Sequence, residues 1–184
     1  MAAIGLTVDR NSFVNKSNHM QILELIRKEL DNEAVTTRKM LERVPADKLD
    51  WQPHPKSMTL RQLSTHIAEL PGWIEMAFTS SELDFATADY QPKAVEGPED
   101  ILSMHQQSLE KGRSSLQSAT LADLEPTWTL RTGDTIHSVM TKYDLVRLSI
   151  SQTIHHRAQL GVYLRLLDIP IPGSYGPSAD DNAF

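Results

Sequence analysis

Apolar residues recur at helical spacing in four long stretches of the chain, and polar residues fill the positions between them. Wound at about 100° per residue, Leu23, Ile26, Leu30, Thr37, Leu41 and Val44 share one face. They predict a first helix over 19–43, closed by Pro45. Asn18 and Gln21 have capping-box spacing at its start, which leaves 1–17 as an extension. Leu60, Leu63, Ile67, Leu70, Ile74 and Ala77 predict a second helix over 59–79, opened by Thr59 and Gln62. His66 and Trp73 lie together at one edge of that stripe, and Pro71 should kink the helix just beyond His66.

Gly97-Pro98-Glu99-Asp100 reads as a helix start, with proline at the first position and acids in the first turn. The third helix then spans 98–118, with Ile101, His105, Leu109, Gly112 and Leu116 facing inward. The fourth lies within Thr141–Leu167, TKYDLVRLSISQTIHHRAQLGVYLRLL, capped by Thr141 and Asp144. Its inward stripe reads Leu145, Ser149, Gln152, His156, Leu160, Tyr163 and Leu167, with His155 about a quarter-turn away.

The connections are less regular. Residues 45–58 hold Pro53 and Pro55, which preclude a regular helix; Leu49 and Trp51 plug this segment onto the body, and His54 is a surface loop residue. Residues 80–97 and 119–140 are long connections, a length often found in functional or mobile loops. Within the second, alternating residues around Arg131-Thr132-Gly133-Asp134 predict a short β-hairpin lying on the bundle. The tail, 169–184, is rich in Pro, Gly and Ser and is expected to run over the surface, back across a site mouth. The fold class is all-α: one domain over 1–184, a four-helix bundle with long crossover connections and a hairpin between helices three and four.

Composition narrows the function. A net charge of −6, a pI of about 5.6 and no basic run argue against nucleic acid as the main partner. The absence of cysteine excludes disulfides, thiolate metal sites and a cysteine nucleophile. No signal peptide and no membrane-length apolar run is read, so the expected location is the cytoplasm and no membrane partner is expected. There is no phosphate loop, serine nucleophile motif or HExxH. What remains is histidine. His66, His105 and His156 fall on or near inward faces, and Gln152 and His156 stand four apart on one helix. Buried polar groups need partners, and either a hydrogen-bond network or a metal ion would serve.

Two segments carry a family resemblance. HHRAQLGVYLRLLDIPIPGSYGPSADD resembles the end of DinB-like proteins (the DinB/YfiT superfamily), and LERVPADKLDWQPHPKSMTLRQLSTHIAELPGW resembles their passage from first to second helix. The resemblance covers about 18–180 and implies a four-helix bundle holding a divalent metal, zinc or nickel, on three histidines. Two of those positions match His66 and His156. The third falls at 152, where the pattern HxxHHR expects histidine and this chain has Gln152.

Three outcomes follow. Gln152 ligates in a weakened site; another group such as His105 or Glu69 completes it; or the site survives as a hydrogen-bond network. The resemblance further implies a metal-dependent enzyme acting on a small molecule, with thiol-dependent S-transferase or hydrolase-type chemistry, and His155 as a proton-handling or supporting group. No thiol cofactor signature is present. The alternative is a non-catalytic stress-response or ligand-binding bundle with a degenerate metal site. A homodimer is a family-level expectation. Gln159 is nearer the site face, and Arg157 is read as a structural pair or an interface residue.

Overall fold

The computed structural model describes residues 10–88 and 95–182, with the side chains of 10–21 left aside. Five α-helices, two short 3-10 turns and a small sheet organise these residues: α1 Arg10–Leu41, α2 Leu60–Glu69, α3 Gly72–Thr79, α4 Pro98–Ser118 and α5 Lys142–Leu166, with β1 Glu82–Asp84, β2 Thr127–Thr132 and β3 Thr135–Thr141. The architecture is the four-helix bundle expected, its second helix broken into α2 and α3. Among the described residues α1 already runs from Arg10, so Asn18 lies inside the helix rather than at its start. Residues 1–9 of the expected extension, 89–94 of the first long connection and 183–184 of the tail lie outside the described residues.

Where a helix begins, local chemistry decides it. The Thr59 hydroxyl accepts from the Gln62 amide at 3.1 Å while the Gln62 side chain accepts from the Thr59 amide at 2.9 Å. Thr141 and Asp144 repeat the arrangement at 3.1 Å in both directions. At α4 the Asp100 carboxylate accepts from the Gly97 amide at 3.3 Å, and Pro98 fills a position whose N–H would lack a helical partner.

The Pro71 kink is a full break. The Leu70 carbonyl, left at the end of α2, accepts the Ser149 hydroxyl from α5 at 2.7 Å. α4 closes over the break at Gly112: a Cβ there would stand 2.6 Å from the Pro71 carbonyl oxygen. Gly112→Ala therefore meets backbone that cannot step aside. Its gain in helix propensity, about 1 kcal/mol, is outweighed by overpacking of about 3 kcal/mol, for a net loss of about 2 kcal/mol. A urea titration reads this directly, and a variant as stable as the parent would refute so close an approach.

Two apolar clusters fill the bundle. One gathers Leu41, Leu60, Leu63, Ile67, Leu160 and Leu164; the other gathers Leu30, Ile74, Leu109, Trp128, Leu145 and Ile150. Leu49 is buried, as expected, and Trp51 meets Tyr163 edge-on at 5.6 Å. The predicted hairpin is present as β2 and β3, with Gly133 at φ 54° in its turn. β1, which falls in the first long connection, joins it in parallel to β2. The buried Asp84 carboxylate binds the sheet together by accepting from the Gly133 and Ala86 amides at 2.8 and 2.9 Å. Trp128 is buried and donates to the Ser80 hydroxyl at 3.0 Å, fixing the sheet to the end of α3.

Candidate functional site

α2 and α5 bring His66 and His156 together. Their rings lie 4.8 Å apart at 74°, close to edge-to-face. Trp73, from the start of α3, meets His66 edge-on at 5.8 Å, the pairing expected from the sequence. His155 stands 4.9 Å from His156 and is exposed, so three imidazoles run from the bundle's flank to solvent.

Each paired histidine has one ring nitrogen engaged. His66 Nδ1 lies 2.9 Å from Glu69 Oε1, and His156 Nδ1 lies 2.7 Å from Gln159 Oε1. Burial disfavours the His156 cation and lowers its pKa; the hydrogen bond to Gln159 opposes this, and the neighbouring His66 and His155 add to it. A neutral ring is the form a metal requires.

The remaining expected site residues are placed as follows. Gln152 is half-buried, one turn before His156 on α5. His105 lies on α4 and makes no ring contact with the paired histidines. It is almost wholly buried, both its ring nitrogens lack hydrogen-bond partners, and the charges it feels are Arg38 of α1 and Arg113 of its own helix. Glu69 is bound to His66, as described. His54 is exposed, its Nδ1 accepting from the Lys56 amide at 3.1 Å. Among the described residues no group of three or more His, Cys, Asp or Glu side chains is arranged to hold a metal.

Two expectations need correction. The buried face of α5 is Leu145, Val146, Ser149, Ile150, Thr153, Arg157, Leu160, Gly161 and Leu164, about 70° round from the stripe drawn on the sequence. His156 and Gln152 therefore lie at the edge of the buried face, and Arg157 lies within it. There it forms a buried ion pair: Arg157 Nη1 stands 2.6 Å from Glu33 Oε2 of α1 and donates to Thr37 Oγ1 at 3.1 Å. The structural pair expected for Arg157 is thus present, with the interface role left aside.

The described part of the tail, 169–182, packs on the other side of α5 rather than across the histidines. Tyr175 donates to Glu33 Oε1 at 2.8 Å and lies over the Arg157 guanidinium at 5.4 Å. Between the tail and α5 is a cavity of about 560 Å³ floored by Ala158, Gly161, Val162 and Arg165, on the side of α5 opposite His156.

Gln159 as hydrogen-bond partner of His156, and Glu69 as partner rather than ligand, are not among the roles expected from the sequence. The signal for both was present: an acceptor three residues after each histidine, hence one turn along the same helix face.

The family model for the DinB family matches residues 16–183. No curated protein matches the sequence. Among solved structures, a DinB-like protein from Bacillus cereus is 22% identical with a TM-score of 0.64, covering 83% of this chain and 97% of its own. YfiT from Bacillus subtilis, described as a probable metal-dependent hydrolase with an unusual four-helix bundle topology, is 15% identical with a TM-score of 0.59, covering 91% and 94%. A mycothiol-dependent maleylpyruvate isomerase is 13% identical with a TM-score of 0.56, covering 76% of this chain and 60% of its own. No helix among the described residues is long and apolar enough to cross a membrane.

Proposed function

The chain belongs to the DinB family, and on that premise we propose that it is a metal-dependent enzyme acting on a small electrophile or a thiol conjugate. His66 and His156 would hold a divalent ion, with the Gln152 amide oxygen as third donor. The observation that carries this is the meeting of two imidazoles from α2 and α5, each with Nδ1 already engaged and Nε2 left as a donor. Two imidazoles and an amide fit a divalent ion, more weakly than three imidazoles would. The descriptions of YfiT and of the mycothiol-dependent isomerase support the same class of chemistry.

A bound ion would supply Lewis-acid polarisation of an entering thiol or carbonyl. The chain's own residues supply the surroundings. Trp73 gives His66 an apolar wall that limits water on that side. His155, exposed and in ring contact with His156, would pass a proton between solvent and a substrate beside it.

The test is metal content and metal titration of protein purified without a nickel column. Wild type is expected to retain zinc or nickel on loading, and His66→Ala and His156→Ala to lose it. Equally poor binding by all three proteins would overturn the proposal. Gln152, standing where the family pattern has histidine, favours a second reading, a non-catalytic bundle with a degenerate site. It predicts that Gln152→His creates tight binding that wild type lacks.

A further inference from the structure

We infer that Glu69 and Gln159 are positioning residues, each fixing which nitrogen carries the proton in the histidine three residues before it. The metal half of this inference rests on the proposed function; the proton half does not. A neutral imidazole holds one proton, and the partner of one nitrogen decides the state of the other. An ionised carboxylate only accepts, so Glu69 at 2.9 Å requires N–H at His66 Nδ1 and leaves a lone pair on Nε2. The Gln159 amide oxygen does the same for His156 at 2.7 Å. The two helices thus use one device, a histidine with an acceptor one turn further on, and both rings present the same nitrogen.

The acceptors differ in charge, and that difference has a consequence. His66, His156 and Gln152 are all neutral donors, so an ion among them keeps its full double charge in a half-buried place. Glu69 brings a negative charge into contact with the set through His66. Gln159 contributes orientation alone, since its amide oxygen accepts a proton donor without carrying a charge. Glu69 therefore acts through both direction and charge, and an acid at 159 would add what Gln159 lacks.

Long-range ¹H–¹⁵N NMR of the metal-free protein with labelled histidine, at pH 8, reads the first part. Both rings are expected with the proton on Nδ1. Glu69→Ala should return His66 alone to the Nε2–H form that free imidazole side chains favour, and Gln159→Ala should do so for His156 alone. Glu69→Gln keeps an acceptor and should keep the Nδ1–H form. Wild-type rings protonated on Nε2, or populations unmoved by the alanine variants, would overturn the inference.

Zinc titration reads the second part. Zinc binding should weaken about 10-fold in Glu69→Gln and up to about 100-fold in Glu69→Ala, and tighten about 10-fold in Gln159→Glu. Equal affinity in wild type and Glu69→Gln would remove the role of charge. If wild type shows the Nδ1–H rings but binds no zinc, the proposed function fails while the positioning role stands.

Discussion

Arg157→Met is expected to destabilise the fold by about 3–5 kcal/mol, because it removes one partner of a buried ion pair and leaves the other behind. The side chains of Arg157 and Glu33 are 2% and 10% exposed. Glu33 Oε2 meets the guanidinium at 2.6 Å without hydrogen-bond geometry, so charge attraction rather than a directed bond holds that oxygen. Arg157 also donates to the Glu33 carbonyl at 3.2 Å and to Thr37 at 3.1 Å. Methionine has the length to fill the space but none of the donors.

Domain stabilities are about 5–15 kcal/mol, so the variant should be marginal at 37 °C. The double variant Glu33→Leu with Arg157→Met removes both charges and should recover most of the loss. Tyr175→Phe removes only the hydroxyl that donates to Glu33 and should cost about 1 kcal/mol. Urea titrations of the four proteins decide the matter. A single variant within 1 kcal/mol of wild type would show that the pair contributes little, and a double variant as weak as the single would show that packing, not charge, is what Arg157 supplies.

The same residue shows where pattern reading reaches and where it stops. Helix starts at Thr59, Gly97 and Thr141 are legible because a cap is made by residues three apart. Pro71 announces an interruption, though not that Gly72 would follow it into a separate helix. β1 carries three residues, Glu82-Leu83-Asp84, too few to show alternation, and its pairing with β2 spans a long sequence separation. The buried face of α5 departs from its predicted stripe because a buried arginine looks polar. Its partner Glu33 lies on another helix, and no periodicity in α5 reveals it. Spacing alone puts His66 and His156 on or near inward faces, but their pairing is legible only through the family resemblance of the segments around them, since spacing within one helix does not tell which helix faces it. Glu69 and Gln159 were legible in principle, being local to their histidines.

His105 should make the protein lose stability in mild acid, by about 3 kcal/mol between pH 6.5 and pH 4. Burial first, then the charges of Arg38 and Arg113, lower its pKa from the ordinary 6.5 to about 4. In the unfolded chain the ring takes a proton as the pH falls through 6.5; in the folded chain it stays neutral until about pH 4. The unfolded state therefore binds more protons across that window, and stability falls as pH falls, each unit being about 1.4 kcal/mol. Above 6.5 the full stability is present, and below 4 this contribution is flat. The carboxylates with lowered pKa, Asp84, Asp123, Asp144 and Asp180, act below their ordinary 3.8 and so outside the window.

His156 is also lowered and contributes in the same direction, which makes the difference between wild type and His105→Leu the informative quantity. Leucine fills a similar space and removes two unpartnered ring nitrogens, so His105→Leu should be at least as stable as wild type at pH 7. It should also lack most of the decline between pH 6.5 and 4. Parallel stability curves for the two proteins over that range would mean that His105 finds a partner or solvent on protonation, and that the α1–α4 packing around it opens without cost.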